Sequence, residues 1–132
     1  MRTFVVFFII TVNLFSIEID FDKNLSLDNR LKNTFIQYWE KRAKKRFDQT
    51  YRYEAPFLRY LYTKDWYIKY FLNAPKIKKI LVKNVDCNKE QSICKIKMLI
   101  KVKKDYHFYT DRWINVDKIW YHRFNDNPLP IL

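Results

Sequence analysis

Two hydrophobic periods divide this chain. From Ser26, a usable helix N-cap, apolar residues recur at Leu27, Leu31, Phe35, Tyr38 and Trp39, spacings that gather them on one helical face. The opposite face carries Lys32, Lys41, Arg42 and Lys44 and reads as solvated surface. Phe47, Thr50, Tyr51 and Glu54 then fall three or four apart, which predicts a second short helix over 45–53 that ends before Pro56. The aromatic run Phe57 to Tyr62 reads as a strand, and Thr63 caps a further helix over 64–72, with Trp66, Tyr67, Tyr70 and Phe71 on one face. After Pro75 the period becomes two. Cys94, Ile96, Met98, Ile100 and Val102 alternate with Lys95, Lys97, Lys101 and Lys103, the signature of a half-buried strand. Strands over 77–85, 106–116 and 118–124 complete an antiparallel meander.

Helices segregated from antiparallel strands predict an α+β domain in which N-terminal helices pack on a curved antiparallel sheet. At 132 residues the chain holds one domain with a real core. Ahead of it, Arg2 precedes the apolar run Phe4 to Val12, and Ser16 supplies a small residue for cleavage. This predicts a signal peptide over 1–16 and a single domain over 17–132, located in the periplasm or secreted. The competing readings are an uncleaved anchor and a buried strand. Spanning a membrane takes roughly 20 apolar residues, and Glu18, Asp20 and Asp22 interrupt the run too early.

Export changes how Cys87 and Cys94 are read. They flank a polar stretch between two strand-like runs, so a disulfide across a hairpin is expected, and the two histidines are too far off in sequence to join them at a metal. No metal and no cofactor are expected.

The segments Phe35-Ile36-Gln37-Tyr38-Trp39, Phe47-Asp48-Gln49-Thr50-Tyr51, Tyr53-Glu54-Ala55-Pro56-Phe57-Leu58-Arg59, Trp66-Tyr67 and Asp111 through His122 together resemble the nuclear transport factor 2-like superfamily, in its small exported bacterial members. The resemblance covers roughly residues 27–126. It implies a cone, three helices on a strongly bent sheet, whose interior serves catalysis, ligand binding or dimer contacts in different members. Members similar to scytalone dehydratase or ketosteroid isomerase carry an Asp/His or Tyr/Asp set there, and no arrangement in this chain matches those sets residue by residue.

Composition then excludes and weakens. Glycine is absent, which rules out a P-loop, a Rossmann fingerprint and a nucleophile elbow, since each needs glycine at a strained or phosphate-facing turn. Turns with positive φ are therefore expected at Asn73, Asn84, Asn88, Asn115, Asp117 and Asn125. The net charge is +12, and because Arg2 is the only charged residue of the leader, +11 remains without it. Phe, Ile, Lys, Asn and Tyr make up nearly half the chain, the bias of AT-rich coding, so part of that charge reflects base composition.

Candidate chemistry is sparse. Tyr51, Tyr53, Trp66, Tyr70, Tyr106, Tyr109, Trp113, Trp120 and Tyr121 are candidates to line a pocket, as aromatic bodies with polar tips suit a mostly apolar cavity. His107, Asp111 and His122 are the acid/base candidates. On one strand His107 and Asp111 stand about 13 Å apart, so a working pair needs a cross-strand partner. Glu54 and Arg59 flank Pro56 as a candidate ion pair. Lys95, Lys97, Lys101 and Lys103, with Lys78, Lys79 and Lys83 on the neighbouring strand, form a basic sheet face that suits an anionic lipid surface, a cell-wall polymer or an acidic partner protein; nucleic acid is the weaker ligand. The expected function is an exported, non-catalytic domain binding a small molecule or an envelope protein, with homodimer contacts as a further use. A small dehydratase or isomerase and a structural subunit are the alternatives.

Overall fold

A computed structural model describes residues 17–124. The chain opens with a strand, β1 (Glu18–Phe21), before helices α1 (Asn29–Ala43), α2 (Phe47–Thr50), a 3-10 turn (Tyr51–Tyr53), α3 (Pro56–Leu61) and α4 (Lys64–Phe71). Four strands follow: β2 (Ile77–Cys87), β3 (Ile93–Val102), β4 (Asp105–Val116) and β5 (Ile119–Arg123). They form one sheet in the order β1-β2-β3-β4-β5, with β1 parallel to β2 and every other pair antiparallel.

This corrects the expected fold. The sheet is mixed, because β1 adds in parallel to the antiparallel strands β2 to β5, a strand precedes the helices, and α1 is the one helix longer than eight residues among the described elements, so the bent-sheet cone of the nuclear transport factor 2-like superfamily is not what forms. The missed strand had a signal. Ile17, Ile19 and Phe21 alternate with Glu18, Asp20 and Asp22, and the apolar set packs on the core while Lys79 pairs with Glu18 and Asp20 at 3.0 and 3.4 Å. Phe57 to Leu61 is helical, with Tyr62 an extended C-cap, because Pro56 occupies the first turn of α3, where its missing N–H costs nothing. The cap of α1 is Asp28, whose carboxylate accepts from the Arg30 N–H, in place of Ser26. Thr63 caps α4 as expected, accepting from the Trp66 N–H.

The turns were misplaced. Positive φ occurs at Lys45, Gln91, Lys103, Asp117 and Lys118; of the expected positions only Asp117 has it, and Asn125 lies outside the described residues, as does the expected leader. Asn88 shapes its turn through its side chain instead, the Oδ1 accepting from the Ser92 and Ile93 N–H groups. The Cys87–Cys94 disulfide is present and joins directly opposed residues of β2 and β3.

Leu31, Phe35, Tyr38 and Trp39 of α1 pack on the inner sheet face, against Ile80, Val82, Ile96, Met98, Ile100 and Trp113. A second cluster gathers Phe47, Ala55, Leu58, Tyr67, Phe71 and Phe124 beneath α3 and α4. Between the two clusters lies the polar centre of the molecule.

Candidate functional site

The alternation of β4 and β5 sends Asp111, Trp113, Trp120 and His122 to the inner face, and Trp113 stands opposite His122 in the ladder. Glu54 arrives from the other side, where the chain leaves the 3-10 turn and bridges β5, the Ala55 N–H donating to the His122 carbonyl at 2.8 Å. His122 is thereby held between two carboxylates, with Nδ1 2.8 Å from Glu54 Oε1 and Nε2 2.6 Å from Asp111 Oδ1. None of the three side chains reaches solvent.

Each carboxylate is saturated by donors. Glu54 Oε2 accepts from Tyr38 Oη at 2.9 Å and Tyr67 Oη at 2.7 Å, and Oε1 accepts from the Phe124 N–H. Asp111 Oδ2 accepts from Trp39 Nε1 and Trp113 Nε1, both at 2.8 Å. Acceptors so fully occupied are ionised carboxylates, and a ring facing two of them donates from both nitrogens, so His122 is an imidazolium. Burial alone would lower its pKa; the Glu54 and Asp111 charges and their hydrogen bonds outweigh burial and raise it to about 9.

Arg42 completes the set. It comes one turn after Tyr38 on α1, donates to Tyr38 Oη at 3.2 Å, and lies over the Trp39 and Phe71 rings, with its carbon 4.5 and 4.7 Å from their centres. Expected on the solvated face, it is buried, at 5% exposure. Two carboxylates, one imidazolium and one guanidinium sum to zero, which is the condition for keeping four charges out of water. Burial, then the Glu54 charge, holds the hydroxyls of Tyr38 and Tyr67 well above the usual tyrosine range, so both remain donors. Tyr109, which hydrogen-bonds Arg42, is pushed up to about 12 chiefly by burial.

The acid/base candidates thus separate. Asp111 and His122 meet across the sheet, while His107 is exposed, opposite Ile100. Glu54 does not pair with the Arg59 side chain through its carboxylate; Arg59 Nε donates to the Glu54 carbonyl at 3.1 Å. Glu54, Tyr38, Trp39, Tyr67 and Arg42 were not recognised as one network, although Tyr38, Trp39 and Arg42 share a helical face and an arginine there signals a buried partner. Among the described residues no group of three or more His, Cys, Asp or Glu is placed to hold a metal ion.

The pocket candidates scatter. Trp113 is fully buried, and Tyr51 donates to the Arg59 and Tyr62 carbonyls. Trp66 is 38% exposed and stacks between Tyr62 and Tyr70. Tyr53 and Trp120 line an open cleft of about 460 Å³ with Thr34, Gln37, Arg52, Ile119 and Tyr121. Tyr53 donates to Gln37 Oε1, and Trp120 Nε1 donates to Asp28 Oδ2.

The outer sheet face is the second candidate. At the β1 side its cations are paired, Lys79 with Glu18 and Asp20, Lys83 with Asp22. Over β3 to β5 no such ion pair forms among the described residues. Lys95, Arg112 and Arg123 stand directly opposite one another on three successive strands, with Asp86 opposite Lys95 on β2 the one acid of that row. Lys97 and Lys101 continue the face, and Phe108, opposite Leu99, is 85% exposed.

No family model and no curated protein matches this chain. Among solved structures it is similar to the solution structure of a SEC-C motif containing protein from Rhodopseudomonas palustris, with a TM-score of 0.54 and 14% identity over 68% of this chain and 72% of that one. The likeness is one of fold alone.

Proposed function

We propose that this chain is an exported, non-catalytic docking domain whose outer sheet face binds an anionic partner. One observation carries the reading: Lys95, Arg112 and Arg123 are directly opposed on β3, β4 and β5 with no acid between them. Like charges opposed across strands are mildly destabilising, and an anion lying over the row would relieve that repulsion. Two further features support the reading. The sole histidine at a carboxylate pair is sealed at zero exposure with both ring nitrogens engaged, which leaves it no proton route to a substrate. The Cys87–Cys94 bridge suits an oxidising compartment.

The test is retention on immobilised polyglutamate over a salt gradient, for the native chain and for Lys95→Gln/Arg112→Gln. Elution of the native chain at clearly higher salt, with the variant's shift exceeding that of a Lys44→Gln/Lys45→Gln control on the helical side, supports the face as the binding surface. Equal shifts for the two variants would show that only net charge is being read, and would overturn it.

A further inference from the structure

The outer face is ordered in rows, and the rows differ in kind. Register aligns Leu81, Leu99 and Phe108 as neighbours on β2, β3 and β4. On one side of this apolar row lie Lys79, Lys101 and Tyr106, with the Lys101 ammonium 5.6 Å from the Tyr106 ring centre. On the other lie Asn84, Lys97 and Thr110, and then Asp86, Lys95 and Arg112. An aromatic side chain at 85% exposure in the middle of a strand, with cations on both sides, is costly to leave in water.

We propose that this face docks on an anionic lipid surface, with Phe108 entering the boundary between headgroups and acyl chains and Lys95, Lys97, Lys101 and Arg112 lying against the headgroup anions. The inference rests on the reading of the face as an anion-binding surface and names its partner. Three physical points favour lipid. Alternate lysines of β3 stand about 7 Å apart and strands about 4.8 Å apart, which spreads the cations over a plane instead of converging them on one fixed anion. Register places Lys101 on one side of the Leu81–Leu99–Phe108 row and Lys97 on the other, so apolar side chains lie between flanking cations, the arrangement that an interface between water and hydrocarbon rewards. A bilayer also accepts Phe108 at any lateral position, whereas an acidic protein would have to supply a matching cavity.

The experiment is sedimentation of the full chain with phosphatidylcholine vesicles, with and without phosphatidylglycerol. The apolar segment 4–12 is common to every variant, so differences between variants belong to the sheet. Phosphatidylglycerol should be required for tight binding. Lys97→Gln/Lys101→Gln should weaken it about thirtyfold, at about fivefold per cation neutralised near an anionic surface. Phe108→Ser should weaken it about fivefold without altering the fold, since the ring is outside the core. Phosphatidylglycerol-dependent binding that neither variant changes would overturn the proposal. Retention on polyglutamate with no vesicle binding would overturn it too, while leaving the anion-binding face intact. Failure on both supports would remove both readings.

Discussion

Beneath the sheet and above it, the same two strands carry charge in opposite ways. Asp111 and His122 point inward and join Glu54 and Arg42 in a neutral, fully hydrogen-bonded set; Arg112 and Arg123, one residue further along, point outward into a row of cations that form no ion pair among the described residues. The difference teaches what solvent permits. Inside, charges persist only because each is answered at hydrogen-bond distance. Outside, water screens the repulsion well enough for Lys95, Arg112 and Arg123 to stand in line, which leaves their field available to a partner.

The comparison breaks most severely from within. Glu54→Ala strips the acceptor from Tyr38, Tyr67, His122 and the Phe124 N–H, and is expected to lower stability by about 3–5 kcal/mol in urea unfolding. A loss under about 1 kcal/mol would mean that the network contributes little. Titration comes next. His122 has a folded pKa of about 9, above its usual value of about 6.5, so the stability it contributes is complete below pH 6.5 and is lost as the pH rises through 9. The loss is on the order of 3 kcal/mol, visible as a falling urea midpoint, and His122→Gln should flatten that slope. Reducing the Cys87–Cys94 bridge, which closes a short loop, should cost about 2 kcal/mol. The smallest effect has the opposite sign. Arg112→Glu places an acid between Lys95 and Arg123 and should raise stability by about 0.5 kcal/mol while weakening retention on polyanions.

The helical periods were legible because α1 and α4 bury one face each: Leu31, Phe35, Tyr38 and Trp39 in one, Tyr67 and Phe71 in the other. The strands β2 to β5 were legible from alternation and from the cysteine pair, and the disulfide followed from the same hairpin. Three things were hidden. Strand β1 is four residues long, and although its alternation is visible, its parallel pairing with a partner sixty-one residues away is a contact no local period encodes. Residues 57–62 are rich in aromatics that favour strands, yet Pro56 starts a helix there and leaves Tyr60 and Leu61 largely exposed. The polar centre draws on α1, the 3-10 turn, α4, β4 and β5, so Glu54 looked like a surface partner for Arg59 until the fold brought His122 against it. The basic face was readable in part: Lys95, Lys97 and Lys101 alternate along β3, but Lys103 lies in the turn, Lys79 and Lys83 are paired with acids, and Arg112 and Arg123, which extend the face over β4 and β5, were not read as part of it.

A chain without glycine has to bend somewhere, and it does so at residues poorly suited to it. Gln91, Lys103, Asp117 and Lys118 sit at the tips of the three successive hairpins with φ between 52 and 69°, each at a cost of roughly 1 kcal/mol relative to ordinary backbone. That cost must be offset by the strand ladders the tips close. Lys103→Gly, which removes the Cβ penalty at one tip, should then raise stability by up to about 1 kcal/mol, read as a higher urea midpoint.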